Sequence, residues 1–175
     1  MWYLPIFPVT NPNKPGKVRI VWDAAAATNG FSLNSALLIG PDNLVPLLSI
    51  LFQSREHRVA VGGDIREMFH QIRIRNENQN SQICLWHDSK EQSDASVYAM
   101  CVMTFGACCS PSTAQFVKNL NADRFKQEYP EAVKIIKYGH FVDDLLISVE
   151  DEQEATRPQI VSHSGYAGRN MMKMF

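Results

Sequence analysis

The sequence predicts one α+β domain in which helices back a mixed or antiparallel sheet. Its 175 residues and 45% apolar content are typical of a single globular domain. Short runs with period-two alternation are interleaved with segments whose apolar residues recur at helical spacing. No internal repeat or low-complexity segment is present in the sequence. These observations exclude a disordered chain and a repeat protein.

A β-hairpin is predicted near the start of the chain. Leu4–Val9 and Lys17–Trp22 are strand-like, and the Pro, Asn and Gly residues of 11–16 specify the turn between them. In the second strand Lys17 and Arg19 alternate with apolar residues, so both cations share one face. Two cations on one strand face can bind a polyanion, and the alternative interpretation is a pair of solvated strand charges.

Two longer helices are predicted. The first follows the break Gly40-Pro41-Asp42, in which Asp42 is an N-cap candidate, and ends near Arg55. We expect it to face the core. The second begins at Ser110-Pro111, with Pro at the first helical position, and ends near Tyr129. The apolar sides consist of Leu44, Leu47, Leu48 and Leu51 in the first helix, and Ala114, Val117, Leu120 and Phe125 in the second.

The other predicted elements are mainly strands. Arg58–Gly63 (RVAVGG) is typical of a buried strand, and it ends at Asp64. The remaining strand-like runs are Gln71–Arg75, Ser81–Trp86, Val97–Thr104, Lys134–Phe141 and Leu145–Val149. The acidic run Glu150–Glu154 could start a helix. Arg157–Phe175 has no clear period, which indicates a poorly specified end.

Charge is unevenly distributed along the chain. Seventeen Lys and Arg against eighteen Asp and Glu give a net charge of −1, which excludes binding to nucleic acid by bulk charge alone. Residues 1–75 carry eight basic and five acidic side chains, whereas residues 76–175 carry nine and thirteen. This asymmetry suits an anionic ligand bound by the first half and metal-binding carboxylates supplied by the second.

The sequence shows no signal peptide and no membrane span. The N-terminus lacks a basic region, and the longest apolar stretch, Leu44–Phe52, contains Pro and Ser. Its four cysteines form no C-x-x-C pair and have no His pair at zinc spacing, so they are expected to be reduced thiols in or near a core. We therefore expect a soluble cytoplasmic protein. The four cysteines are Cys84, Cys101, Cys108 and Cys109.

The adjacent acids Asp143 and Asp144 are the first candidate for chemistry. They lie between strong β-formers, where desolvation and mutual repulsion disfavour two negative charges. A divalent cation removes that cost, and Mg²⁺ prefers carboxylates together with waters and substrate phosphates. Asp64, at the end of the RVAVGG strand, supplies a third carboxylate. The alternatives are an ordinary turn dipeptide and a strand-end residue.

Motifs around these acids occur in a set order. Asp64–Phe69 places an aromatic residue five positions after the acid, Phe105–Pro111 is a glycine loop that opens a helix, and Phe141–Asp144 follows. In this order they resemble motifs A, B and C of reverse transcriptases, and Lys17–Asp23 is similar to the fingers motif of that family. Four motifs in order are more specific than any one of them.

Other segments indicate a particular class within this family. Leu33–Pro41 (LNSALLIGP), Met103–Pro111 (MTFGACCSP) and the Ile65, Met68 and Phe69 positions of motif A resemble the BEL/Pao class of LTR retrotransposons. The resemblance covers the chain from Trp2 to Ala155. It implies a right-handed polymerase palm with part of the fingers, and RNA-directed DNA polymerase activity on an RNA or DNA template–primer with dNTP as substrate.

The resemblance also assigns roles by position. Asp64, Asp143 and Asp144 would be the catalytic acids that hold two Mg²⁺ ions, with Mn²⁺ as a substitute, and the Ile65 carbonyl would be a backbone ligand. The nucleotide-binding residues would be Lys17 and Arg19 at the triphosphate, Phe69 beneath the deoxyribose, and Gly106 at the closest backbone approach. The template–primer would contact Phe141 and Val142. Without the motif, the favoured interpretation of Phe69 is a core aromatic residue.

The chain ends 31 residues after Asp144, and the later palm motifs, primer grip, thumb and RNase H region have no counterpart in it. We therefore expect residues 1–155 to be a fingers and palm fragment of a Pol polyprotein, impaired by truncation, with 156–175 a non-homologous or disordered tail. The parent element would act within a retroelement particle. One alternative is a non-catalytic remnant that binds nucleic acid or protein. Another, a palm-like nucleotidyl cyclase, is disfavoured by Lys17, Arg19 and Phe69.

Overall fold

The computed structural model describes residues 2–13, 15–87 and 94–156, which form an α+β fold with antiparallel sheets. The strands are β1 (Ile6–Thr10), β2 (Val18–Trp22), β3 (Val59–Asp64), β4 (Ile83–Trp86), β5 (Ser96–Ala99), β6 (His140–Phe141) and β7 (Asp144–Val149). The helices are α1 (Leu33–Ala36), α2 (Leu47–Gln53), α3 (Ser110–Asp123), α4 (Pro130–Tyr138) and α5 (Glu152–Ala155), and 3-10 helices span Met68–Gln71 and Asn76–Gln82. The predicted tail 157–175 lies outside the described residues.

The chain divides into two compact units, of which the first comprises Met1–Gly40 and Phe69–Ser110. It contains two antiparallel ribbons, β1–β2 and β4–β5. The first ribbon is the predicted N-terminal hairpin, which is confirmed. The Leu4 backbone N–H donates to the Ile83 carbonyl at 2.7 Å and joins the segment before β1 to β4. The core of this unit consists of Leu4, Trp22 and Ala24, with Trp2, Ile6, Leu33, Met100 and Ala107 packed against them.

The second unit comprises Pro41–Met68 and Pro111–Phe175. Its antiparallel sheet has the order β3-β7-β6, and helix α2 packs against β7 and β6. A cluster of buried residues joins α3 to α4 through Ala122, Val133 and Ile136. Helix α5 begins after Asp151, whose carboxylate accepts a 2.7 Å hydrogen bond from the Glu154 N–H, in agreement with the helix expected in this acidic run.

Two predicted strands are wrong. Lys134–Phe141 contains β-formers, but most of it belongs to α4, which has Pro130 at its first turn and buries Ala132, Val133 and Ile136 on one face. Gln71–Arg75 forms only an isolated bridge, between Arg73 and Val102, because 3-10 turns lie on both sides of it.

Helix α2 also differs from its prediction. It begins at Leu47, because Pro46 disfavours helical geometry at the residue before it. Asp42 does not cap it, and its carboxylate accepts a hydrogen bond from the Leu44 N–H. Of the four leucines expected to face the core, Leu47 and Leu48 are exposed and Leu44 and Leu51 are half-buried, whereas Ile50 is buried. A short helix with one buried position is therefore held mainly by its contact with the sheet.

Burial is less complete than the sequence predicts. Strand β3 alternates between half-buried and exposed residues instead of being buried throughout. Helix α3 ends at Asp123, not near Tyr129, and its Leu120 is exposed. The cysteines are free thiols, of which Cys84 is buried and Cys101 exposed; within the described part of the chain no helix has the length and apolar character to cross a membrane.

The inward face of α3 carries polar side chains. Ala114, Gln115, Lys118 and Ala122 recur at helical spacing and are all buried. Burial lowers the pKa of Lys118 from 10.5 to about 8 because the charged amine loses hydration. A lysine in this position costs folding free energy wherever it remains protonated.

This burial predicts a pH-dependent gain from Lys118→Met. Below about pH 8 the folded chain keeps the proton and the full penalty, roughly 3 kcal/mol for a shift of this size. As the pH rises from 8 toward 10.5 the folded state releases its proton before the unfolded state, so the penalty disappears. Lys118→Met should stabilise the protein at pH 7 and by less than about 1 kcal/mol at pH 10, measured by urea denaturation.

Lys134→Met is the matched control, since Lys134 is an exposed lysine of α4. Its effect should not change between the two pH values. An effect of Lys118→Met that is equal at pH 7 and pH 10 would show that the buried amine is not the cause.

Candidate functional site

Three carboxylates meet at one end of the sheet in the second unit. Asp64 is the last residue of β3 and lies directly opposite Asp144, the first residue of β7. Asp143 precedes Asp144 in the turn from β6. One carboxylate oxygen from each residue lies within 4.8 Å of the others, with Asp143 half-buried and its two neighbours exposed. The structure therefore brings together the three acids that the sequence singled out.

The turn that carries Asp143 has an unusual conformation. Phe141 pairs with Asp144, so Val142 and Asp143 are the only residues between the paired positions. Val142 has a φ of 58°, a left-handed conformation that costs a β-branched residue about 1–2 kcal/mol. The Asp143 carbonyl accepts a hydrogen bond from the Ile65 N–H at 2.9 Å, which ties this turn to the residue after β3.

A second hydrogen bond reaches this turn from α3. The Gln115 side-chain amide donates to the Val142 carbonyl at 3.1 Å. Sequence reasoning did not single out Gln115 as a site residue. The available signal was a glutamine beside Ala114 on the predicted apolar side of the helix, and this signal does not identify its partner.

The donor set indicates the class of ion that this site can hold. All three groups are carboxylates, and hard divalent cations such as Mg²⁺ and Mn²⁺ prefer oxygen ligands. Asp64 and Asp144 are like charges directly across a strand pair, an arrangement that a cation stabilises. The residues present therefore fit a divalent metal ion.

The two cations that the sequence singled out lie in the first unit. Val9 is directly opposite Arg19 in the β1–β2 ribbon, and Lys17 directly precedes β2, two residues before Arg19. Both cations line a cavity of about 240 Å³. The remaining lining residues are Val9, Thr10, Asn11 and Pro12. The cavity has the positive charge that a bound anion needs.

Phe69 is a packed aromatic residue of the first unit. It is 9% exposed, and its ring meets that of Phe105 edge-on with 4.8 Å between centroids. The His70 ring contacts the same Phe105 ring at 5.4 Å. Phe69 therefore packs against the first residue of the glycine loop. This contact is compatible with a core aromatic residue and with a nucleotide-binding residue.

Gly106 occupies a position that only glycine fits. Its φ is 106°, and a Cβ there would fall on the carbonyl oxygen of Trp22. The loop is also held by Asn34, whose amide nitrogen donates to the Gly106 carbonyl at 3.1 Å and whose amide oxygen accepts from the Cys108 N–H at 2.8 Å. Sequence reasoning missed Asn34 as a holding residue, because 72 residues separate it from Gly106.

Other predicted residues take structural positions. Ser110 starts α3 as predicted, but its hydroxyl donates to the Thr104 carbonyl at 2.9 Å. His140, next to Phe141, is buried with its Nδ1 3.1 Å from the Ile136 carbonyl oxygen. Phe141 and Val142 are half-buried beside the carboxylates.

Comparison with known proteins gives one family. Residues 13–166 match the family model described as reverse transcriptase (RNA-dependent DNA polymerase). No curated protein matches the chain.

Solved structures of foamy virus proteins share the fold. A foamy viral protease–reverse transcriptase in complex with double-stranded DNA has a TM-score of 0.65 at 18% identity, over 93% of this chain and 25% of that one. The prototype foamy virus protein (TM-score 0.63, 18% identity) and a foamy viral complex with an RNA/DNA hybrid (0.63, 17%) each match 93% of this chain and 19% of theirs. The chain thus spans a quarter or less of the proteins it resembles in structure.

The glycine loop predicts a large effect of Gly106→Ala. The methyl group would meet backbone, which cannot rotate away, in addition to the cost of positive φ. We expect the free energy of unfolding to fall by at least about 3 kcal/mol, measured by urea denaturation. Gly30→Ala is the control, because Gly30 has a φ of 81° but open space around it, and it should cost only about 1–2 kcal/mol. Equal costs at both positions would rule out the contact with Trp22.

The carboxylate cluster predicts opposite effects of Asp144→Asn with and without metal. Without metal, removal of one of two opposed charges should raise the free energy of unfolding by roughly 0.2–1 kcal/mol. With Mg²⁺ at a hundredfold excess over its Kd, the wild type should gain about 2.7 kcal/mol and the variant clearly less. Thermal denaturation with and without Mg²⁺ measures both, and Asp94→Asn, at an exposed aspartate outside the cluster, is the control. Equal Mg²⁺ gains in all three proteins would argue against a metal site.

Proposed function

Because the chain belongs to the reverse transcriptase (RNA-dependent DNA polymerase) family, we propose that it supplies the palm and part of the fingers of an RNA-directed DNA polymerase. One observation carries this proposal: the Asp64, Asp143 and Asp144 carboxylates lie together at one end of the β3–β7 ladder. Family membership states what kind of reaction is expected, and this cluster provides the groups for it. On this proposal residues 1–155 are the fingers and palm segment.

The three acids would hold two Mg²⁺ ions, for which Mn²⁺ could substitute, and the Ile65 carbonyl would be a backbone ligand. When bound, two such ions lower the pKa of an attacking hydroxyl and stabilise negative charge on the attacking and leaving oxygens of a phosphoryl transfer. The protein's own task is to keep three like charges close together before any ion arrives. The antiparallel ladder and the hydrogen bond from the Ile65 N–H to the Asp143 carbonyl hold the backbone from which these carboxylates extend.

The cations of the β1–β2 ribbon would bind the triphosphate of a dNTP. Lys17 and Arg19 line the same cavity, so both can direct N–H groups at phosphate oxygens. Phe69 would lie beneath the deoxyribose and exclude a 2′-hydroxyl, and the packing of Phe69 against Phe105 would hold its ring firmly. Gly106 would allow the backbone to approach the nucleotide and template–primer.

The proposed partner is an RNA or DNA template–primer, contacted by Phe141 and Val142 beside the acids. Two of the similar foamy virus structures contain double-stranded DNA and an RNA/DNA hybrid, which supports this class of partner. The LNSALLIGP and MTFGACCSP segments favour a BEL/Pao-class LTR retrotransposon as the parent element. The remainder of its Pol polyprotein, within a cytoplasmic particle, would then complete the enzyme.

Primer extension tests the catalytic proposal. The assay uses an RNA template, a DNA primer, deoxynucleotides and Mg²⁺, and compares the wild type with Asp143→Asn and the control Asp94→Asn. We expect extension by the wild type and the control, and a rate at least about 100-fold lower for Asp143→Asn, because the ions supply several kcal/mol of charge stabilisation.

Two outcomes would overturn the proposal. Equal extension by Asp143→Asn would remove the metal role of this residue. Binding of the template–primer by all three proteins without any extension would instead indicate a non-catalytic module that retains nucleic-acid binding.

A further inference from the structure

Val142 has a backbone conformation that is unfavourable for a β-branched residue. Within the described residues, three non-glycine residues have positive φ: Asn29 at 52°, Glu67 at 51° and Val142 at 58°. Asparagine tolerates this region, whereas a β-branched side chain crowds the backbone there. Such strain persists only where surrounding contacts impose it, and it concentrates at functional sites.

Two hydrogen bonds to consecutive carbonyls hold this turn in place. Gln115 Nε2 donates to the Val142 oxygen at 3.1 Å, and the Ile65 N–H donates to the Asp143 oxygen at 2.9 Å. Gln115 is only 2% exposed, so water cannot replace its amide easily. Loss of this donor would remove a hydrogen bond that ties the strained turn to α3.

The Val142 carbonyl is the group that matters for the metal site. It belongs to the same peptide plane as the Asp143 nitrogen, so its direction determines how the Asp143 Cα–Cβ bond leaves the backbone. A carbonyl held by Gln115 therefore orients the carboxylate that lies within 4.8 Å of Asp64 and Asp144. A turn that relaxed to negative φ at Val142 would point this carboxylate elsewhere.

We propose that Gln115 is a positioning residue that imposes the left-handed conformation of Val142 and thereby directs Asp143 into the carboxylate cluster. The proposal rests on the proposed function only in taking this cluster to be the metal site. Gln115 itself reaches the site through one backbone carbonyl. The donor is the essential feature, because a side chain that only accepts hydrogen bonds would face the carbonyl oxygen without a proton.

A double-mutant cycle tests this coupling. The proteins are the wild type, Gln115→Met, Val142→Gly and the double variant, and the readouts are Mn²⁺ affinity by electron paramagnetic resonance and the unfolding equilibrium constant in urea. Gln115→Met should weaken Mn²⁺ binding about 10-fold or more, as is typical when a group that orients a metal ligand is removed. Glycine adopts positive φ freely, so Val142→Gly in the Gln115→Met background should restore the affinity to within about threefold of wild type.

Rescue is what separates positioning from a general structural role. Wild-type affinity in Gln115→Met would overturn the proposal, and so would an equal loss of affinity whether residue 142 is Val or Gly. Gln115→Ala removes the donor and has high helix propensity, and it replaces Gln115→Met if that variant does not fold. We expect it to lose affinity to the same degree and to be rescued in the same way.

Failure of the proposed function has a different signature. In that case the wild type would bind Mn²⁺ no better than Asp143→Asn. The unfolding equilibrium constants then test only whether Gln115 imposes the conformation of Val142. The effect of Gln115→Met on this constant should be at least about fivefold smaller in the Val142→Gly background, and equal effects in both backgrounds would overturn the proposal.

Discussion

Electrostatic repulsion among three carboxylates at one end of a β-ladder is the constraint on which the rest of the site depends. Asp64 faces Asp144 only in one register of β3 and β7. A slip of one residue would send every side chain of a strand to the opposite face, and the buried Leu145 and Val149 oppose this. The apolar packing of the second unit therefore keeps together charges that would otherwise separate.

Local sequence signals predicted those parts of the fold that depend on local chemistry. The β1–β2 hairpin has its turn residues and alternation within a few positions. The acidic pair lies between β-formers, with Asp143 in the two-residue turn and Asp144 at the start of β7. The segment Lys134–Phe141 was misassigned because its isoleucines suit a strand as well as a helix. Pro130 and the buried contact of Ile136 with Ala122 decide for the helix, and the second of these exists only after folding.

The sequence likewise predicts some residues of the candidate site and not others. Its three acids are visible in the sequence because Asp64 ends a strand, Asp144 begins one, and Asp143 lies in the turn directly before it. The residues that hold the surrounding backbone are not visible, since Gln115 is 27 positions from Val142 and Asn34 is 74 positions from Cys108. No sequence pattern indicates that an amide side chain bonds to a distant backbone group, so only the folded structure identifies these two residues. The cations of the β1–β2 ribbon are an intermediate case, because alternation gave their common face but not the cavity they line.

The close approach of Gly106 to Trp22 has an evolutionary consequence. The obstacle to a larger residue is a main-chain oxygen, so no substitution of the Trp22 side chain can make room for it. Position 106 should therefore remain glycine however far related sequences diverge. Position 142 is under a weaker constraint, because its conformation is strained but accommodates a side chain, so glycine or asparagine can replace Val142. Substitution would thus be limited by a steric clash at position 106 and by backbone strain at position 142.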